Sequence, residues 1–178
     1  MKALLVLDLQ KGIISQKNFD NTLANIKILI DDFKKNNDIV ILTKHISKFE
    51  ENPLYIHGKG VEIEDDFVKL ADYVIEKDSC NPFLNTDLYN ILLKNNITDI
   101  YICGFNTEYC CLFSSIISTD RGFKTVFIED ATDTIGDEDI YEMPGLDIRD
   151  FIGSILNWSE LVEVLYVYEY LELRDCNE

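Results

Sequence analysis

The chain has 178 residues, and 33 acidic residues against 16 lysines and arginines give it a formal net charge of −17. This charge argues against binding to nucleic acid or to an anionic membrane surface. No apolar run approaches the length of a membrane span, and the first residues lead into a predicted strand instead of a signal peptide. We therefore expect a single cytoplasmic domain over residues 1–178.

Strand and helix patterns alternate along the chain, which predicts a parallel α/β sheet. The predicted strands are residues 2–8, 39–42, 73–75, 99–103, 124–128 and 162–165. The first predicted helix is capped by Asp20 and carries Leu23, Ile26, Ile30 and Phe33 on one face. Further helices are predicted over 86–95, 109–121 and 148–156, and a short helix is predicted at the C-terminus. An irregular connection over 44–71 is long enough to be functional, and an acidic loop is expected over 130–147.

The five cysteines do not indicate a disulfide framework. Their number is odd, their spacing is irregular, and Cys103 falls inside a predicted strand. No two are spaced as Cys-x-x-Cys, which argues against a structural zinc site. We expect reduced thiols in a reducing compartment.

The segment Gly104–Cys110 carries the strongest functional signal. It follows a predicted buried strand and precedes a helix whose apolar residues Phe113, Ile116 and Ile117 are expected to share one face. Cys110 is therefore predicted at a helix N-terminus, where unpaired N–H groups and the helix dipole favour a thiolate. Such a cysteine is suited to attack a carbonyl carbon.

The spacing of Gly104, Thr107 and Cys110 resembles the nucleophile motif of the cysteine-hydrolase branch of the isochorismatase-like superfamily. Two more motifs of this family occur in the expected order, namely a first strand followed by Asp8-Leu9-Gln10 and a third strand followed by Lys77. The resemblance implies a three-layer αβα sandwich around a parallel six-stranded sheet of order 3-2-1-4-5-6.

In that strand order Asp8, Lys77 and Cys110 lie at the carboxyl ends of strands that are near one another, where such sheets place their sites. By resemblance Cys110 is the nucleophile, Asp8 accepts the thiol proton, and Lys77 stabilises negative charge. Each residue alone has a structural interpretation, as a turn residue, an edge charge or a small buried side chain. Only their combination indicates a catalytic site.

The resemblance further implies a cis peptide between Phe105 and Asn106, which directs the backbone N–H groups of Asn106 and Cys110 into an oxyanion hole. Cys111, which follows the nucleophile, is expected to be a buried helix residue. The remaining predicted pocket residues are Gln10, His45, Phe83 and Thr107.

Nicotinamidases of this superfamily carry an Asp-x-His metal motif after the second strand and a later histidine. The corresponding residues here are Thr43-Lys44-His45 and His57, so a threonine replaces the aspartate. Two histidines without a carboxylate make a poor zinc site. We expect no metal and no other cofactor.

The predicted function is hydrolysis of the C–N bond of a small amide, ureido or carbamoyl compound through a thioester at Cys110. A nicotinamidase-type metal-assisted amidase and a non-catalytic small-molecule binding protein remain alternatives. A flavodoxin-like flavin site is disfavoured, because residues 10–14 lack the small and hydroxyl side chains of a phosphate loop.

A homo-oligomer, most simply a dimer, is expected, partly from the resemblance and partly from the apolar and aromatic run over 161–173. The alternative is that this run packs on its own sheet as a last strand and helix.

Overall fold

The computed structural model describes residues 1–176 and contains six strands, which are β1 (Lys2–Leu7), β2 (Ile39–His45), β3 (Tyr73–Lys77), β4 (Asp99–Phe105), β5 (Lys124–Asp133) and β6 (Glu163–Leu165). They form one sheet in the order β3-β2-β1-β4-β5-β6, and every neighbouring pair is parallel. The predicted sheet and strand order are confirmed. The prediction of one domain over 1–178 reaches two residues beyond the described part of the chain and stays a prediction.

Helices cover both faces of the sheet. They are α1 (Lys11–Ile14), α2 (Asp20–Lys35), α3 (Asp65–Val68), α4 (Leu88–Lys94), α5 (Leu112–Asp120), α6 (Ile148–Trp158) and α7 (Val167–Asp175). One apolar core joins α2 and α7 to the sheet, and a second core on the opposite face joins α4 and α6 to it. The protein is therefore the predicted three-layer sandwich. Among the described residues, no helix is both long and apolar enough to cross a membrane.

Three local predictions need correction. Helix α2 begins at Asp20 itself, whose side chain makes no capping hydrogen bond, while its N–H donates to Asn18 Oδ1 at 2.9 Å. The connection over 44–71 is partly regular, because it contains a 3-10 turn at Lys59–Val61 and helix α3. Strand β5 continues to Asp133 instead of ending at 128.

The polar end of β5 was expected to be loop, yet it pairs with β4. A register shift beside Gly104 lets this residue pair with Thr132. The Thr132 hydroxyl donates to the Glu129 carbonyl at 2.9 Å, so its burial leaves no unsatisfied donor. The composition of this end of β5 resembles that of a loop, because its polar groups find their hydrogen-bond partners only in the folded sheet.

Helix α5 presents an unexpected face to the core. Phe113 and Ile116 are about half exposed, whereas the small residues Ser114, Ser115 and Ser118 are completely buried. Small side chains allow the helix to lie close to the sheet, and this rotates the large apolar side chains outward. The face that Phe113 and Ile116 were predicted to share is therefore largely exposed.

The C-terminal run divides between core and surface. Val167 and Tyr170 are buried against α2 and the sheet, and the Arg174 guanidinium donates to Asp32 at 3.1 Å and to Asp38 at 2.6 Å. These contacts fix α7 on the chain's own sheet. The inner half of the run is thus unavailable for the interface that the sequence suggested.

Gly104 allows β1 and β4 to approach closely. Its φ is +108°, and a Cβ at this position would lie 2.2 Å from the Leu7 carbonyl oxygen. Leu7 is the register partner of Gly104 and immediately precedes Asp8. The absence of a side chain here therefore determines how near the ends of these two strands come to each other.

Gly104→Ala should lower the free energy of unfolding by at least about 3 kcal/mol, because it combines an unfavourable φ with a backbone clash. Gly122→Ala is the matched control, since Gly122 has φ +89° but no heavy atom within 4 Å of the added Cβ. It should cost only about 1 kcal/mol. Urea unfolding measures both, and equal losses would show that the approach to Leu7 is not limiting.

Candidate active site

Three side chains meet at the carboxyl end of the sheet. Asp8 directly follows β1, Lys77 is the last residue of β3, and Cys110 lies in a π-helical turn (Thr107–Cys111) between β4 and α5. All three side chains are buried. The strand order brings together residues that are far apart in sequence, as expected for a parallel sheet.

The Lys77 ammonium is the centre of the cluster. Its Nζ donates to Asp8 Oδ2 at 2.7 Å and to Cys110 Sγ at 3.1 Å, and it lies 3.3 Å from His45 Nδ1. Burial lowers the pKa of Lys77, but the Asp8 carboxylate and then Cys110 outweigh burial, so that the pKa is raised. Lys77 therefore stays positively charged throughout the neutral range.

Thr43 fixes the Asp8 carboxylate. Its hydroxyl donates to Asp8 Oδ1 at 2.5 Å and accepts the Asp8 N–H at 3.1 Å. Asp8 adopts a left-handed backbone conformation with φ +52°, which turns the chain at the end of β1. Thr43 occupies the position where nicotinamidases carry a metal-binding aspartate. Here it is a second hydrogen-bond partner of the Asp8 carboxylate, beside Lys77.

Cys110 has a second sulfur beside it. Cys80, in the loop after β3, lines the same small cavity as Cys110. Interaction with the neighbouring Cys110 thiol is the main cause that lowers the pKa of Cys80 to about 7, whereas the pKa of Cys110 is raised by Cys80, by burial and by the Asp8 charge.

His45 contributes a neutral ring to the site. Burial lowers its pKa first, and the Lys77 charge lowers it further. The neutral imidazole can accept the hydrogen bond that Lys77 directs at Nδ1.

The residues present do not fit the metal site of a nicotinamidase. Asp8, His45 and Cys110 each offer a ligand atom, and these atoms lie within 4.8 Å of one another. However, the Lys77 ammonium lies within hydrogen-bonding distance of all three, in the place that a cation would take. His57 is exposed and packs edge-on against Tyr55 at 5.3 Å between ring centroids, and it is not part of this group.

Cys110 borders a cavity of about 220 Å³. Its walls come from the segment after β1, the 44–71 connection, the loop after β3, the turn after β4 and the segment after β5. The lining residues are Asp8, Ile13, Gln16, His45, Asn52, Pro53, Leu54, Cys80, Asn106, Tyr109, Cys110 and Ile135.

Three predicted pocket residues do not line this cavity. Gln10 is completely buried, and its amide donates to the carbonyls of His45 and Val61 and accepts the His45 N–H at 2.8 Å. Phe83 is buried in the second apolar core, and Thr107 is buried beneath the turn and donates to Thr132 at 3.1 Å. All three side chains are packed within the protein behind the residues that line the cavity.

The turn that carries Cys110 has the shape that the resemblance implies. The peptide bond between Phe105 and Asn106 is cis. The Asn106 carbonyl accepts the N–H groups of Tyr109 and Cys111, and its side-chain Oδ1 accepts the Ile135 N–H at 3.1 Å. Asn106 thereby borders the cavity while its amide links β4 to the segment after β5.

Several lining residues were not predicted, and most had no distinct signal in the sequence. Ile13, Leu54 and Ile135 are ordinary aliphatic residues that only the fold places at the cavity. Cys80 had one available signal, because it follows the strand that ends in Lys77. Tyr109 lies inside the nucleophile motif and could have been named on position alone.

Comparison with known proteins agrees with this geometry. A family model described as an isochorismatase domain matches residues 2–154. The isochorismatase family protein YrdC of Bacillus subtilis (strain 168) is 29% identical over 177 residues, which cover 90% of this chain and 94% of that protein.

Two solved structures share the fold. A cysteine hydrolase from Pseudomonas syringae pv. phaseolicola 1448A has a TM-score of 0.83 at 21% identity, over 96% of this chain and 91% of the other. The nicotinamidase PncA from Bacillus subtilis has a TM-score of 0.74 at 19% identity, over 92% of this chain and 98% of the other. Because the family model matches most of the chain, this protein belongs to the isochorismatase family of hydrolases.

Proposed function

We propose that this protein hydrolyses the C–N bond of a small, uncharged amide, ureido or carbamoyl compound, with Cys110 as the nucleophile. The observation that carries the proposal is the buried Lys77 ammonium, which donates to both the Asp8 carboxylate and the Cys110 sulfur at the wall of a small cavity. A cation held between an acid and a thiol favours the thiolate and stabilises negative charge near it.

In the proposed reaction the Cys110 sulfur attacks the substrate carbonyl carbon and forms a tetrahedral oxyanion. The N–H groups of Asn106 and Cys110 are the proposed donors to that oxygen. Asp8 takes the thiol proton and passes it to the leaving nitrogen, while Lys77 keeps its own proton because of its raised pKa. Water then cleaves the thioester and restores the thiol.

The lining of the cavity supports a neutral substrate. Among the described residues, none of those that line it is lysine or arginine. Apolar walls from Ile13, Leu54 and Ile135 face polar groups from Asn52 and Asn106. Such a lining can hold a small carbonyl compound and offers no positive partner for a carboxylate group.

The cellular compartment is also part of the proposal. We infer that the protein works in the cytoplasm, a reducing compartment that keeps the Cys110 and Cys80 thiols free, as they are in this structure.

We further propose that two copies associate through the α5–α6 face, defined by Phe113, Ile116, Phe151, Ile155 and Trp158. All five are about half exposed or more, and Trp158 is 84% exposed. Both helices pack against β5 and the π-helical turn on the same side of the sheet. Because these helices carry few charges in a chain of net charge −17, two copies repel each other least at this face.

Asp8→Asn should fold and lose about 10²–10⁴-fold in kcat, because an amide cannot accept the thiol proton. Lys77→Met should lose activity similarly, and it should also be destabilised by about 3–5 kcal/mol, because it leaves the Asp8 carboxylate buried without its partner. Ammonia release from a panel of small amides measures turnover, and circular dichroism checks the fold. Asp20→Asn, at an exposed aspartate on α2, is the matched control and should retain full activity.

Near-normal turnover of a folded Asp8→Asn variant would contradict the proposed mechanism. The same assay with EDTA separates the metal-assisted alternative, since loss of activity that zinc restores would show that a metal takes part. If no amide in the panel gives a thioester adduct on Cys110 by mass spectrometry, a non-catalytic binding role becomes the better account.

Light scattering at micromolar concentration should give about twice the chain mass of 20.6 kDa. The double variant Phe113→Ser, Trp158→Ser should shift the protein toward the monomer, because it removes two of the largest apolar side chains of the α5–α6 face. Ile28→Ser, at an exposed residue of α2 on the opposite layer, is the control and should leave the mass unchanged. A monomeric wild-type protein would contradict the dimer.

A further inference from the structure

The proposed mechanism gives Cys80 no role, although this cysteine lines the same cavity as the nucleophile. It is partly exposed, whereas Cys110 is almost completely buried, and both residues line one cavity of only about 220 Å³. We propose that Cys80 and Cys110 form a disulfide when a small peroxide enters the cavity, and that this bond reversibly blocks the nucleophile.

The local charges direct oxidation to this pair. Lys77 donates to Cys110 Sγ at 3.1 Å, which stabilises negative charge on the sulfur, and a thiolate is the form that reacts with peroxide. The other buried cysteines lack these conditions. Cys103 and Cys111 are completely buried within the apolar cores, and neither of them lines the cavity.

With hydrogen peroxide as the oxidant, the reaction consumes one peroxide molecule for each disulfide. The Cys110 thiolate attacks one peroxide oxygen, the O–O bond breaks, and the leaving hydroxide takes a proton to become water. The Cys80 thiolate then attacks the resulting sulfenic sulfur, the S–S bond forms, and the S–O bond breaks with loss of a second hydroxide, which also becomes water. Two sulfurs are oxidised and the peroxide oxygens are reduced, so that two thiols and one peroxide give one disulfide and two waters.

Cys111 is adjacent to Cys110 in the chain but is a poor competitor. It is completely buried, and its N–H donates to the Asn106 carbonyl within the helical turn. A bond between consecutive cysteines would distort that turn, whereas Cys80 lies on a separate loop that faces the cavity.

The disulfide would protect the nucleophile from irreversible damage. A sulfenic acid without a nearby thiol continues to sulfinic acid, which thiol reductants do not reverse. Capture by Cys80 stops the oxidation at a reducible stage. The loss of activity rests on the proposed function, but formation of the disulfide does not.

The test treats the protein with a modest excess of hydrogen peroxide and then divides the sample. Intact mass should decrease by two hydrogen atoms, titratable thiols under denaturing conditions should fall by two from five, and non-reduced peptide mapping should join the Cys80 and Cys110 peptides. Dithiothreitol should restore the mass, the thiols and any amidase activity.

Cys80→Ser should give no cross-linked peptide, and its Cys110 should become sulfinic acid. Relative to its own untreated rate, this variant should recover about tenfold less activity after dithiothreitol than the wild type. Cys176→Ser removes an exposed cysteine near the C-terminus and should behave as the wild type.

Wild-type protein in which Cys110 is sulfinic while Cys80 stays free would overturn the proposal, as would a bond between Cys110 and Cys111. A Cys80–Cys110 disulfide in a protein that hydrolyses no amide would support the redox pair and contradict the proposed function instead.

Discussion

A buried ammonium group is stable only if nearby charges and hydrogen-bond acceptors compensate for its lost hydration. At Lys77 the compensation comes from Asp8 at 2.7 Å and Cys110 at 3.1 Å, with the His45 ring at 3.3 Å. These partners follow or end different strands, so the lysine can be buried only when the sheet is fully formed. The contacts that compensate for the burial of Lys77 are the same ones that, in the proposed mechanism, prepare the Cys110 sulfur for reaction.

The surrounding scaffold keeps the strand ends in place. Gly104 lets β4 approach Leu7, and Thr43 holds the Asp8 carboxylate through its hydroxyl. Gln10 joins the end of β1 to His45 and to Val61, and thereby attaches the 44–71 connection to the sheet. This attachment explains how a mostly irregular segment can supply a well-defined wall to the cavity.

The sequence was sufficient for the fold because alternating apolar runs and helix faces report burial directly, and a motif resemblance supplied the strand order. It was also sufficient to name Asp8, Lys77 and Cys110, which the structure brings together. It was not sufficient for the pocket. Gln10 and Phe83 occupy motif positions but point into the scaffold, and the side chains that face the cavity belong to ordinary residues such as Leu54. Orientation of this kind depends on packing between distant segments, which no local pattern records.

Helix α5 shows a related limit of sequence patterns. An apolar stripe usually indicates the buried face of a helix, but here buried serines bring the helix close to the sheet and the large side chains point outward. The pattern correctly identified a helix, but the apolar stripe lies on the exposed side of that helix. In the proposed dimer a second copy covers that side, so the apolar stripe is buried in the assembly and not within the single chain.

The central claim is that the Lys77 charge activates Cys110, and the pH dependence of Cys110 alkylation tests it most directly. Iodoacetamide labelling of Cys110, followed by peptide mapping, should accelerate in the wild type as the pH rises, because the thiolate is the form that reacts. In folded Lys77→Met the profile should move to higher pH, because the positive charge lowers the pKa of both thiols, and labelling at neutral pH should slow by about tenfold or more. An unchanged profile in the variant would contradict the account.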